Sequence, residues 1–129
     1  MLGNGQPIDI LIGIVRRLPG RPQDIRNSCP LLNLAQEMSP LDEQFRKRLE
    51  MLFLAWQKGV AALLRKGQSQ GTVRRERNPD ETASFLIAMV EGNASLAKVA
   101  QDAKVWEVGR RNIVGWLRSL RVPDNRRRA

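Results

Sequence analysis

The 129-residue chain contains no histidine and a single cysteine, Cys29. Without histidine it lacks the commonest general base and metal ligand, and with them Ser-His-Asp and Cys-His catalysis. One thiol rules out an internal disulfide and any multi-cysteine metal site. No apolar run approaches the ~18 residues that a membrane span requires. The first twenty residues, MLGNGQPIDILIGIVRRLPG, hold an apolar patch with no basic residue ahead of it, so they do not read as a signal peptide. These absences weigh against an enzyme, a metal or cofactor protein and a membrane protein. They leave the cytoplasm as the expected location.

What is present is an ordinary globular share of apolar residues, 42%, enough for one domain with a real core. Lys and Arg total 22 against 13 acids, a net charge of +9. Such a charge favours solubility and attracts polyanions without dictating a fold.

The chain is organised around the stretch 39–65, SPLDEQFRKRLEMLFLAWQKGVAALLR. Phe45, Leu49, Leu52, Phe53, Trp56, Val60, Leu63 and Leu64 recur at steps of three and four, the period of a helical face. A helix from 40 to 66 would be roughly 40 Å long and serve as a spine. Ser39 suits its cap, Pro40 its first position and Asp42 a capping box, while Gly71 supplies the stop. Before it, Pro7 opens a short helix over 7–18 with Ile8, Leu11, Ile12 and Val15 as its stripe. The Pro- and Gly-rich 18–28 reads as a surface connection. A second short helix is expected over 30–38, with Leu31, Leu32, Leu34 and Ala35 buried.

After the spine, 67–78 reads as a loop, and Asn78-Pro79-Asp80-Glu81 is the best helix start in the chain. The helix it opens, 79–101, is apolar nearly all round across Phe85–Val90 and so has to be covered on two faces. A last helix, 103–120, puts Trp106, Ile113, Leu117 and Leu120 on one stripe, with Val105, Gly109, Asn112 and Trp116 beside it. A basic tail, 121–129, follows. No stretch alternates like a strand and no repeat is visible. The expected fold class is all-α, with five helices over 7–120.

Several motifs have bland readings that outweigh the sharp ones. Arg16-Arg17, Arg74-Arg75 with Arg77, Arg110-Arg111 and Arg126–Arg128 could face phosphates, yet they fall in loops, helix ends and the tail without interleaved aromatics. Asp42-Glu43 and Asp80-Glu81 sit in first helical turns, where the dipole favours acids without any catalytic role. Gly3-Asn4-Gly5 has no strand before it, and Asn93-Ala94-Ser95 lies inside a helix, so neither signals phosphate binding or glycosylation. More informative are polar groups on apolar faces, Asn33, Gln36 and Asn93. They fit either a mostly apolar pocket with orienting polar groups or a core with satisfied amides.

The order of segments resembles the C-terminal regulatory domain of the tetracycline-repressor (TetR/AcrR) family, from about Pro7 to Leu120. The parts that carry the resemblance are Cys29-Pro30-Leu31-Leu32-Asn33-Leu34-Ala35-Gln36-Glu37, Gly67 to Gly71, and Phe85-Leu86 to Glu91-Gly92. It implies a bacterial homodimer whose last two helices pair with their copies in a four-helix bundle, through Leu86, Val90, Trp106, Gly109, Ile113, Trp116 and Leu117. It also implies a pocket for a small hydrophobic effector lined by Leu32, Asn33, Gln36, Phe53, Trp56, Phe85, Met89 and Asn93. The family's helix-turn-helix, which reads operator DNA, would precede residue 1 and is not in this chain. The implied mechanism needs no chemistry: an effector that binds one arrangement of the helices better than another changes the spacing of the DNA readers. The rival reading is a small basic helical protein that binds nucleic acid or another polyanion directly, with affinity falling steeply in salt.

Overall fold

A computed structural model of the chain describes residues 6–19 and 22–123. It holds five α-helices, α1 (Pro7–Arg16), α2 (Pro30–Met38), α3 (Glu43–Ser69), α4 (Pro79–Ala100) and α5 (Ala103–Ser119), with a 3-10 turn at Pro22–Arg26. Among the described residues there is no β-strand, and Val73 and Arg121 form an isolated bridge. Among the described residues no helix is long and apolar enough to cross a membrane.

The starts of the helices follow local chemistry. Asn78 Oδ1 accepts from the backbone N–H groups of Asp80 and Glu81 at 2.9 and 3.1 Å, with Pro79 behind it in the first turn. The spine starts later than expected. Asp42, not Ser39, is its cap and accepts from Phe45 N–H at 3.0 Å, while Ser39 closes the C-terminal end of α2. The competing signal is the carboxylate itself: placed three residues before Phe45, it satisfies a free N–H that Ser39 cannot reach. Gly71 ends the spine's exit turn at φ 74°, a conformation a residue with a Cβ rarely adopts.

The main core lies where α1, the C-terminal half of α3, α4 and α5 converge. Ile8, Leu11, Ile12 and Val15 of α1 pack with Ala61 and Leu64 of the spine, Leu86 of α4 and Leu117 of α5. Burying each such aliphatic side chain contributes about 1.5–3 kcal/mol. Two glycines let this core close. A Cβ at Gly67 would overlap Val73 in the loop after the spine, and one at Gly109 would overlap the Asn93 side chain. That loop is pinned to the end of α5: Arg74 N–H donates to the Leu120 carbonyl at 2.9 Å and Val122 N–H to the Thr72 carbonyl at 3.1 Å.

The segment read as a surface connection does more than connect. Ile25 of the 3-10 turn is buried against Ala97 and Trp106 in a second, smaller core, and the Leu18 carbonyl accepts from Trp106 Nε1 at 3.0 Å. The expectation for α2 is corrected outright: none of its residues is buried. The basic tail beyond Pro123 and the Gly3-Asn4-Gly5 motif lie outside the described residues.

Candidate functional site

The residues expected to line one pocket fall in three places. Phe53 and Trp56, one turn apart on α3, meet edge to face with ring centroids 5.1 Å apart. Leu32 and Asn33 are half-buried on α2, Gln36 is exposed, and Asn33 Nδ2 fastens the start of the helix by donating to the Asn27 carbonyl at 2.6 Å. Phe85 points the other way and packs edge to face on Trp116, 5.4 Å between centroids. Met89 leans on the main core. Asn93 is buried over Gly109 and donates Nδ2 to the Trp106 carbonyl at 3.1 Å. This is the satisfied-amide alternative: Asn93 locks α4 to α5, and Gly109 has no side chain because Asn93 occupies that space. A shallow surface dimple with no enclosed space is lined by Leu64, Gln68, Val73, Arg77, Pro79, Thr82 and Leu120, none of them an expected pocket residue.

The residues named for a dimer contact also divide. Leu86, Trp106, Ile113 and Leu117 are buried inside this one chain, and Gly109 faces Asn93. These four side chains are covered within one copy, because α1 and the 3-10 turn supply neighbours for them. Val90 and Trp116 remain half-buried. A different row stays open. Along α4, Phe85, Ala88, Gly92, Leu96 and Val99 recur at steps of three and four, and all are exposed, Leu96 by 64% and Val99 by 85%. Beside it α5 presents Val108, Asn112 and Gly115. A Cβ at Gly92 or Gly115 would meet nothing, so nothing in this chain covers those positions.

A second open apolar region is the α2 end of the molecule. Leu34, Leu41, Met51, Leu54 and Trp56 are exposed there, Leu41 by 77% and Met51 by 69%.

Two of the clustered arginines, Arg74 and Arg110, are engaged internally, as is Arg121 outside the clusters. Arg74 Nε donates to the Ser119 carbonyl at 2.9 Å and its guanidinium pairs with Glu76, Arg110 bonds the Arg16 carbonyl and Glu107, and Arg121 pairs with Asp9. Side chains so tied do not make a continuous phosphate track, and the polyanion reading is not favoured. Among the described residues no group of His, Cys, Asp and Glu side chains could hold a metal ion.

One polar site was missed. Glu91, the lone charged residue between Thr82 and Ala97, sets its carboxylate beside the Cys29 thiol at the start of α2. Its Oε2 atom and the Ser28 hydroxyl are both buried without a hydrogen-bond partner. Burial pushes the Glu91 carboxyl above its ordinary range, the neighbouring thiol opposing part of the shift. Burial first, then the Glu91 charge, raises the Cys29 thiol. A solitary acid inside an apolar helical run was the signal available in the sequence.

The described residues form an all-α scaffold that leaves two apolar regions uncovered. Residues 14–113 match the family described as tetracyclin repressor-like, C-terminal domain, and the chain belongs to it. Over 79 residues it is 42% identical to an HTH-type transcriptional regulator in the lacX 3′ region of Lactococcus lactis subsp. lactis, covering 61% of this chain and 38% of that protein. Over 74 residues it is 34% identical to the HTH-type transcriptional repressor DhaR of Mycobacterium sp. (strain GP1), covering 57% and 37%. The fold is similar to that of a TetR transcriptional regulator from Chloroflexus aurantiacus J-10-FL, with TM-score 0.78 at 22% identity over 94% of this chain and 63% of the other. The matched stretch thus spans well under half the length of these sequence relatives.

Proposed function

We propose that this chain is the effector-binding and homodimerisation part of a TetR-type bacterial transcriptional regulator, a repressor, acting in the cytoplasm. Operator DNA would be held by a helix-turn-helix segment outside this chain, and the effector would be a small, mostly apolar molecule. The chain would act by binding alone, through a shift between arrangements of its helices rather than a reaction. The observation that carries the reading is the uncovered row Phe85, Ala88, Gly92, Leu96 and Val99 on α4, flanked by Val108 and Gly115 of α5. In a chain of +9 charge, such a row is stable in water when a second copy covers it, and small residues at its centre let two helices approach closely.

Size-exclusion chromatography with light scattering at micromolar concentration tests this directly. The expected result is a dimer that Leu96→Glu converts to monomer while leaving the helical spectrum unchanged. A chain that is monomeric throughout would sink the proposal.

A further inference from the structure

We propose that the Ser28 hydroxyl and the Glu91 carboxylate form the polar end of the effector site, and that they receive an organic ammonium group carried on an apolar body. The inference deepens the effector-binding reading and rests on it. Two buried oxygen atoms, Ser28 Oγ in the segment before α2 and Glu91 Oε2 on α4, have hydrogen-bonding capacity unmet. Buried polar atoms are nearly always paired, so two orphans flanking the same residue, Cys29, mark a place where a donor belongs.

Charge identifies the donor. The chain has 22 lysines and arginines, yet among the described residues none forms an ion pair with Glu91. Its close neighbour is the uncharged Cys29 thiol. A carboxylate left without a cation in so basic a protein is free to take one from outside. The start of α2, where Cys29 makes no side-chain cap hydrogen bond, would by itself favour an anion, and an octanoate probe tests that rival. Leu31 and Leu32, half-buried within a turn of Cys29, offer contact for the apolar body.

The test uses the whole chain with three probes of equal length, n-octylammonium, n-octanol and octanoate, followed by calorimetry and thermal shift. Octylammonium is expected to bind best of the three, although the protein's positive charge opposes casual adsorption of a cation. Glu91→Gln, nearly isosteric, should weaken octylammonium by about tenfold, the loss of one charge-assisted contact, and leave octanol within about twofold. Ser28→Ala should weaken octylammonium by about threefold. Octylammonium affinity should climb with pH as the carboxyl ionises, and octanol affinity should stay level. Unchanged octylammonium binding in Glu91→Gln, or octanoate binding more tightly than octylammonium, would overturn the assignment while leaving an effector site in place. If none of the three binds, the effector-binding reading falls with it.

Discussion

Helices α1 and α2 are alike in sequence and opposite in fate. Both are about ten residues long, both begin at a proline, and both are rich in aliphatic side chains. Helix α1 buries Ile8, Leu11, Ile12 and Val15 almost completely, while α2 buries none of its residues. The difference lies in the neighbours: α1 is wedged between α3 and α5, whereas α2 leans on α3. Amphipathic patterning makes a helix able to be buried, and the number of elements that surround it decides whether it is. The half-covered end that results holds the exposed Leu34, Leu41 and Met51 as well as the orphaned Ser28. Regions with few buried contacts open at low free energy, as ligand-responsive elements must.

The sharpest way to break this comparison is to truncate one leucine from each helix. Leu11→Ala should destabilise the chain by about 2–5 kcal/mol in urea unfolding, and Leu34→Ala by about 0.5 kcal/mol or less. Equal losses would mean that α2 is packed as tightly as α1. A smaller effect is expected from glycines. Gly109→Ala must displace Asn93 and should destabilise by about 1–3 kcal/mol, whereas Gly59→Ala, whose Cβ meets nothing, should gain up to about 1 kcal/mol from helix propensity.

The smallest effect is expected where Glu91 of α4 meets Cys29, just before α2. The Glu91 carboxyl is raised in the folded chain, so its contribution to stability is present below the ordinary carboxyl range and is lost as pH rises through its folded value. Glu91→Gln cannot ionise. It should therefore melt above the parent chain at neutral pH, and the gap should close in acid. A gap that persists unchanged in acid would show that ionisation of Glu91 is not its source.

Much of the fold was legible in the residues. The stripes of α1 and α5 recur at helical spacing and proved to be the core, and Asn78 capped α4 as its Asn-Pro-Asp-Glu start implies. The candidate sites were less legible. Phe85 and Asn93 stand on the same apolar helix, yet one faces out onto Trp116 and the other inward over Gly109. In a helix apolar on every side, composition carries no direction, because nothing polar marks which face meets water. Trp106 and Ile113, expected at a partner contact, are buried within this chain, and the turn at Pro22–Arg26 that covers Trp106 looked like a solvated connection.

The amino-acid order alone determined the helices, their caps and stops, and the exclusion of histidine-based chemistry, since these depend on neighbours a few residues apart. Tertiary structure alone decided which apolar faces found cover, which stayed open on α4 and α2, and that Glu91 would end beside Cys29 with no ion pair among the described residues. Those outcomes depend on residues far apart in sequence, and local pattern holds no record of which elements will stand next to each other.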